Sequence, residues 1–106
     1  MAIKNTTLTA TTEDLVYQSD GQSAVTAIYF CNIGTTPEQI NVYAVPTTGV
    51  GIADLSNIIY SKLTIAPDDT YIIDTEKLIL DNGDRVYAKA LTTPDVIVTT
   101  VSYVGI

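Results

Sequence analysis

The sequence contains no histidine and no tryptophan, a single cysteine, and only five basic side chains. Without histidine the commonest general base and the commonest neutral metal ligand are missing, and with them every Ser-His-Asp or Cys-His arrangement. Cys31 has no second cysteine to pair with inside the chain. It lies in the apolar run Tyr29-Phe30-Cys31, where it reads as a small hydrophobe with no activating partner. A single unpaired cysteine fits synthesis in a reducing compartment. The five basic residues stand against twelve acidic ones, a formal charge of −7. Nucleic acid and anionic membranes both require a basic face that displaces counterions, so neither is an expected partner. No apolar run approaches the ~18–20 residues of a spanning helix. Met1-Ala2-Ile3-Lys4 leads into a threonine-rich stretch without an apolar core, so no signal peptide is expected.

What the chain does contain is turn chemistry at short, regular intervals. Ser19-Asp20-Gly21, Gly34-Thr35-Thr36-Pro37, Pro46-Thr47-Thr48-Gly49, Ala66-Pro67-Asp68-Asp69, Asp81-Asn82-Gly83-Asp84 and Thr93-Pro94-Asp95 are strong breakers. The runs between them are rich in β-branched and aromatic residues. They predict strands at Asp14–Gln18, Ala24–Asn32, Gln39–Val45, Ile58–Ile65, Thr70–Asp74, Lys77–Leu80, Arg85–Leu91 and Val96–Val104. With 106 residues there is room for one core. The expected fold is all-β: a single antiparallel β-sandwich of seven or eight strands, immunoglobulin-like or jelly-roll-like. No window supports more than one helical turn, and that one falls at Ile52–Asn57, with Asp54 and Ser56 as caps.

Periodicity divides the strands into two kinds. In Gln39–Val45, apolar Ile40, Val42 and Ala44 alternate with Gln39, Asn41 and Tyr43, and Arg85–Leu91 alternates in the same way. Ala24–Asn32 is apolar on both faces, with Ile28 and Phe30 on one and Val25, Tyr29 and Cys31 on the other. Val96–Val104 shares that property, with Ile97, Val101 and Tyr103 opposite Val96 and Val98. A strand apolar on both faces is either covered twice or placed at an interface. The seven tyrosines fall almost one per strand. They read as sheet filler where they face in and as subunit contacts where they face out. Residues 1–12, with five threonines, Leu8 and Ala10, predict an extended arm ahead of a sandwich at residues 13–106. The arm suits strand addition to a neighbouring subunit.

Catalytic equipment is sparse. Asp68, Asp69, Asp74, Glu76, Asp81 and Asp84 are the main acid–base groups, and nearly all fall in turns, where aspartate mimics backbone hydrogen bonding. Asp81-Asn82-Gly83-Asp84 has the start of an oxygen-rich calcium loop but none of its continuation, since Arg85-Val86-Tyr87 begins a strand. Asn82-Gly83 is instead expected to form a type I′ hairpin or a short turn. The expectation is therefore no catalytic residue, no cofactor-binding residue, no metal ligand and no cofactor: a protein that is not an enzyme.

Two stretches carry a resemblance. One is Tyr29-Phe30-Cys31-Asn32 with Ile40-Asn41-Val42-Tyr43-Ala44-Val45-Pro46. The other is Leu78-Ile79-Leu80-Asp81-Asn82-Gly83-Asp84-Arg85-Val86-Tyr87-Ala88-Lys89-Ala90, followed by the closing Ser102-Tyr103-Val104. Over about residues 14–106 the chain resembles small β-sandwich virion structural proteins of tailed bacteriophages, which serve as capsid decoration (cement) proteins or as neck and tail components. The resemblance implies a capsid decoration protein on the capsid exterior, made in the host bacterial cytoplasm and located in the virion. Its expected partners are phage capsid or neck and tail proteins and further copies of itself, with a trimer favoured. The alternative is a tail or neck component, or a receptor- or carbohydrate-binding module of the particle. No site residue carries over from the resemblance.

Overall fold

The eight runs between turn clusters all form strands, each within one residue of its expected ends. The computed structural model describes residues 2–9, 12–47, 53–74 and 77–106. In chain order the strands are β1 (Ala2–Thr7), β2 (Asp14–Gln18), β3 (Ser23–Asn32), β4 (Glu38–Val45), β5 (Ile58–Ile65), β6 (Thr70–Ile73), β7 (Leu78–Leu80), β8 (Arg85–Ala90) and β9 (Ile97–Gly105). They build two antiparallel sheets. One runs β1-β9-β3-β6 with β7 also on β3, and the other runs β2-β8-β4-β5.

The pairings are nested: β1 with β9, β2 with β8, β3 with β6 and β7, and β4 with β5. With β6 and β7 sharing one edge of β3, this gives eight positions in two sheets, the strand order of a jelly roll. Of the two sandwich types expected, the jelly roll is the one present. Between β6 and β7 the Lys77 ammonium donates to the carbonyls of Thr26, at 3.1 Å, and Asp74, at 2.8 Å.

Nesting also revises the domain boundary. The arm expected at residues 1–12 is not separate from the sandwich over residues 2–9. β1 pairs along its whole length with β9, from Ala2 opposite Tyr103 to Thr7 opposite Val98. Leu8 then exchanges backbone hydrogen bonds with Ile97 and Asp95, and its side chain is fully buried in the core. The physical reason is the edge of β9, whose unpaired amides and carbonyls would otherwise be bare. Met1, Ala10 and Thr11 of that segment lie outside the described residues, as do Thr48 to Ile52.

Three local features depart from simple alternation. A bulge between Val25 and Ala27 reverses the parity of β3, so Val25 joins Ile28 and Phe30 in the core instead of facing out with Tyr29 and Cys31. A second bulge, between Leu15 and Tyr17, lets both Val16 and Tyr17 bury. The third concerns Asn82-Gly83, which closes a tight turn through the Asp84 amide and Asp81 carbonyl at 3.0 Å. Only Gly83 has a positive φ, 87°. A type I′ turn needs both central residues there, whereas positive φ at the second alone marks type II. The turn is also not a hairpin, because β7 and β8 belong to different sheets and the chain crosses the sandwich between them. A side chain at Gly83 would meet the Thr47 hydroxyl at 2.2 Å.

The core fills the space between the sheets. Phe30, Ile28 and Val25 from β3 and Ile97 and Val101 from β9 meet Val16, Ile40, Val42, Val86 and Ala88 from the opposite sheet. Tyr17 and Tyr103 close one side with ring centroids 4.5 Å apart. The Tyr17 hydroxyl donates to Ser23 at 2.9 Å, so its burial leaves no unpaired polar group.

Candidate interaction surface

Because side chains alternate across a strand, the pairings that fix the core also fix what faces out. On the five-stranded sheet the outward positions are Ile3, Asn5 and Thr7 of β1, and Val98, Thr100, Ser102 and Val104 of β9. β3 contributes Ala24, Ala27, Tyr29 and Cys31, β6 contributes Thr70 and Ile72, and β7 contributes Ile79. None of these is acidic or basic, in a chain of net charge −7. Several are large and exposed: Tyr29 at 38%, Ile72 at 47%, Ile79 at 66% and Ile3 at 65%. Ala24, Ala27 and Ser102 lie lower between them, each nearly covered by its neighbours.

The polar groups on this face are largely paired with one another. The Thr26 hydroxyl, at the bulge, donates to the Ser102 carbonyl and hydroxyl at 3.0 and 2.9 Å. The Thr100 hydroxyl donates to the Asn5 side-chain oxygen at 2.7 Å. Where hydroxyls are already bonded, as at Thr26, Ser102 and Thr100, little is lost when water leaves, which lowers the penalty on burying them. The arrangement therefore suits apolar packing against another surface.

The sequence singles out the two-sided apolarity of β3 and β9, and the fold sets these strands side by side, so their outer faces merge. The carboxylates do not converge. Asp68 and Asp69 sit at the Asn32 end of β3, with backbone bonds between Asp68 or Asp69 and Asn32. Asp81 and Asn82 sit at its other end, bonded to Gln22 and Gly21. Both oxygens of Asp84 are used within the turn region, accepting from the amides of Thr47 and Asp81. Glu76 lies outside the described residues. Among the described residues no three histidine, cysteine, aspartate or glutamate side chains group as metal ligands.

Two buried polar residues have no counterpart in the sequence reading. Asn32 is wholly buried, donating to the carbonyls of Thr36 and Ile65 and accepting from the Gly34 amide. Glu38 is also buried. Its carboxylate accepts from Thr36 at 2.9 Å, Thr92 at 2.7 Å and the Thr93 amide at 3.3 Å. Burial pushes this carboxyl up, but the bonds from Thr92, Thr93 and Thr36 more than offset it and hold the group below the usual range. The residue joins two turns at one end of the sandwich, and no acid–base partner faces it. An asparagine and a glutamate flanking a turn carry no mark of burial in sequence.

The sandwich also has an apolar cleft of about 210 Å³ at its β5 edge, lined by Val25, Ile28, Ile59, Tyr60, Ile73 and Leu78. That lining supplies no carboxylate, amine or thiol for chemistry. At the expected helical turn the described residues form a non-helical turn instead: the Asn57 amide donates to the Asp54 carbonyl at 3.2 Å, and Asp54 accepts from Ser56. No protein-family model matches the chain, and neither a curated protein nor a solved structure shows significant similarity to it.

Proposed function

We propose that the chain is a non-enzymatic structural protein of a tailed-bacteriophage virion, acting as a capsid decoration protein that packs against other protein surfaces. The observation that supports this most directly is the outer face of the β1-β9-β3-β6/β7 sheet, which is uncharged and internally hydrogen-bonded. Such a face gains from leaving water, and it carries no group that would perform a reaction. The resemblance over residues 14–106 supplies the setting, and jelly rolls recur in capsid proteins, although a fold by itself does not fix a function. Acidic loops at both ends of the sandwich keep the chain's negative charge toward solvent, which suits a protein added to a finished shell.

Localisation on the particle tests the reading. Antibody raised against the purified chain should label capsids in immunogold micrographs of the source lysate. The chain should also sediment with capsids that lack it. Labelling confined to the neck or tail would move the protein to that part of the virion, and binding on a glycan array would then assign it receptor recognition. Recovery of the chain only as free protein, with particles unlabelled, would overturn the proposal.

A further inference from the structure

The uncharged sheet face can be assigned an occupant. We infer that it receives a second copy of this chain, packed face to face about a two-fold axis, so that the unit which meets the particle is already a dimer. The inference rests on the proposed use of this face for packing and names its partner.

Charge is the first argument. Every copy carries −7, so two copies repel wherever charged loops meet. Across the outward strand positions of β1, β9, β3, β6 and β7 no acidic or basic residue would oppose its twin. Lys77, between β6 and β7, has its ammonium bonded to two backbone carbonyls, and Lys4 of β1 takes an inward position opposite Val101.

Shape is the second. Ala24, Ala27 and Ser102 form a low strip along the centre. Ile72 and Ile79 stand up on the β6 and β7 side and Ile3 on the β1 side, while Tyr29 of β3 and Val104 of β9 rise at the two ends of the strip. An interface about a two-fold axis must be self-complementary. A hollow edged by raised apolar side chains meets that condition when the two-fold axis lies off its centre, so that an edge side chain of each copy enters the hollow of the other. Sheets packed in this way stand ~10 Å apart, as in the layers of any sandwich.

Area is the third. Four strand positions at ~4.8 Å and about eight residues at ~3.3 Å give a footprint of roughly 19 by 26 Å, or about 500 Å² per copy. Two copies bury about 1,000 Å², the threshold for a specific interface, and the pairing of Thr26, Ser102, Thr100 and Asn5 leaves that area little desolvation penalty.

Sedimentation equilibrium of the full chain, across concentration and in low and high salt, tests this directly. The wild type should be dimeric and should remain so in 1 M NaCl, because screening removes only repulsion. Tyr29→Lys and Ile72→Glu, each on the exposed outer face, should convert it to a monomer with an unchanged β-sheet circular dichroism spectrum. Leu55→Lys, at an exposed turn away from this sheet, should leave the dimer intact. Cys31 should react with maleimide at least tenfold faster in the monomeric variants than in the wild type. A wild type that is monomeric at every concentration would overturn the inference, even if it labels particles, and the virion reading would then stand without it. A dimer that survives both substitutions would place self-association on another surface and overturn it equally.

Discussion

On the four-stranded sheet the outward positions carry Lys62, Arg85 and Lys89, three of the chain's five basic residues, whereas the outward positions of the five-stranded sheet carry no charge at all. The first face mixes those charges with Tyr43 and Val45, outward residues of β4 that are nonetheless buried. Arg85 lies 5.8 Å over the Tyr87 ring, and Lys89 approaches Glu13 at 3.7 Å. The second has Thr26 and Thr100 hydroxyls bonded within the face, to Ser102 and Asn5, and isoleucines exposed. Both sheets share one core and one alternation rule, so the difference is not imposed by folding. The outer faces can therefore vary independently of the core, and the uncharged one is the face assigned above to packing. Substitutions graded from the core outward can break or sharpen that separation.

The largest effect is expected at Phe30, the inward neighbour of Tyr29 on β3. Its side chain is wholly buried among both sheets. Phe30→Ala should cost about 3–5 kcal/mol in urea denaturation, from lost transfer energy and the cavity left behind. A cost below ~1 kcal/mol would mean that β3 does not divide core from surface as described. Leu8→Ala comes next, at about 2–4 kcal/mol, because Leu8 is fully buried beneath the β1–β9 pair. An unchanged melting temperature there would return residues 2–9 to the status of a detachable arm.

The outcome at Leu8 bears on how much of the molecule is legible in its sequence. Turn residues at fixed intervals place eight strands, and alternation groups Ile28 with Phe30 and Ile40 with Val42 on the faces that turn out to be inward. β1 escapes because its inward positions are Ala2, Lys4 and Thr6, an edge-strand pattern that does not resemble a core strand, with Leu8 as the only apolar anchor. Val25 is placed on the wrong face because a bulge at Thr26 reverses the parity, and one inserted residue leaves no compositional trace. For the interaction surface, the sequence shows that β3 and β9 are apolar on both sides. That they are neighbours follows only from the nested pairing. The hydrogen bonds that make the face inexpensive to desolvate depend on register, which alternation does not specify.

Glu38 lies between core and surface, and its effect is expected to depend on pH. Its folded carboxyl titrates below the usual 4.5. Stability drawn from the ionised form is therefore present above the unfolded value and lost as the pH falls through the folded one. Glu38→Gln should cost about 1–2 kcal/mol at pH 7, where three donors lose an ionised acceptor. The gap between variant and wild type should narrow as the pH is taken from 5 to 3. A gap that stays constant over that range would show that Glu38 acts through packing and not through its charge. Association should not change at pH 7, since Glu38 is absent from the uncharged face.

The smallest effect is expected at Lys89, and it is the strictest test of the separation between the two outer faces. The residue stands on the outer face of the four-stranded sheet, and its ion pair with Glu13 is long and partly exposed on both sides. Pairs of this kind contribute ~0.2–1 kcal/mol because solvent screens them and two flexible side chains must be held in place. Lys89→Met should therefore shift the unfolding free energy by less than ~1 kcal/mol. It also leaves the chain one charge more negative. If self-association used this face, the substitution would remove a charge from the contact and change the dimer constant; if it uses the uncharged face, the constant should hold to within about twofold. A pronounced change in association with stability unchanged would mean that the charged sheet, and not the uncharged one, meets the partner.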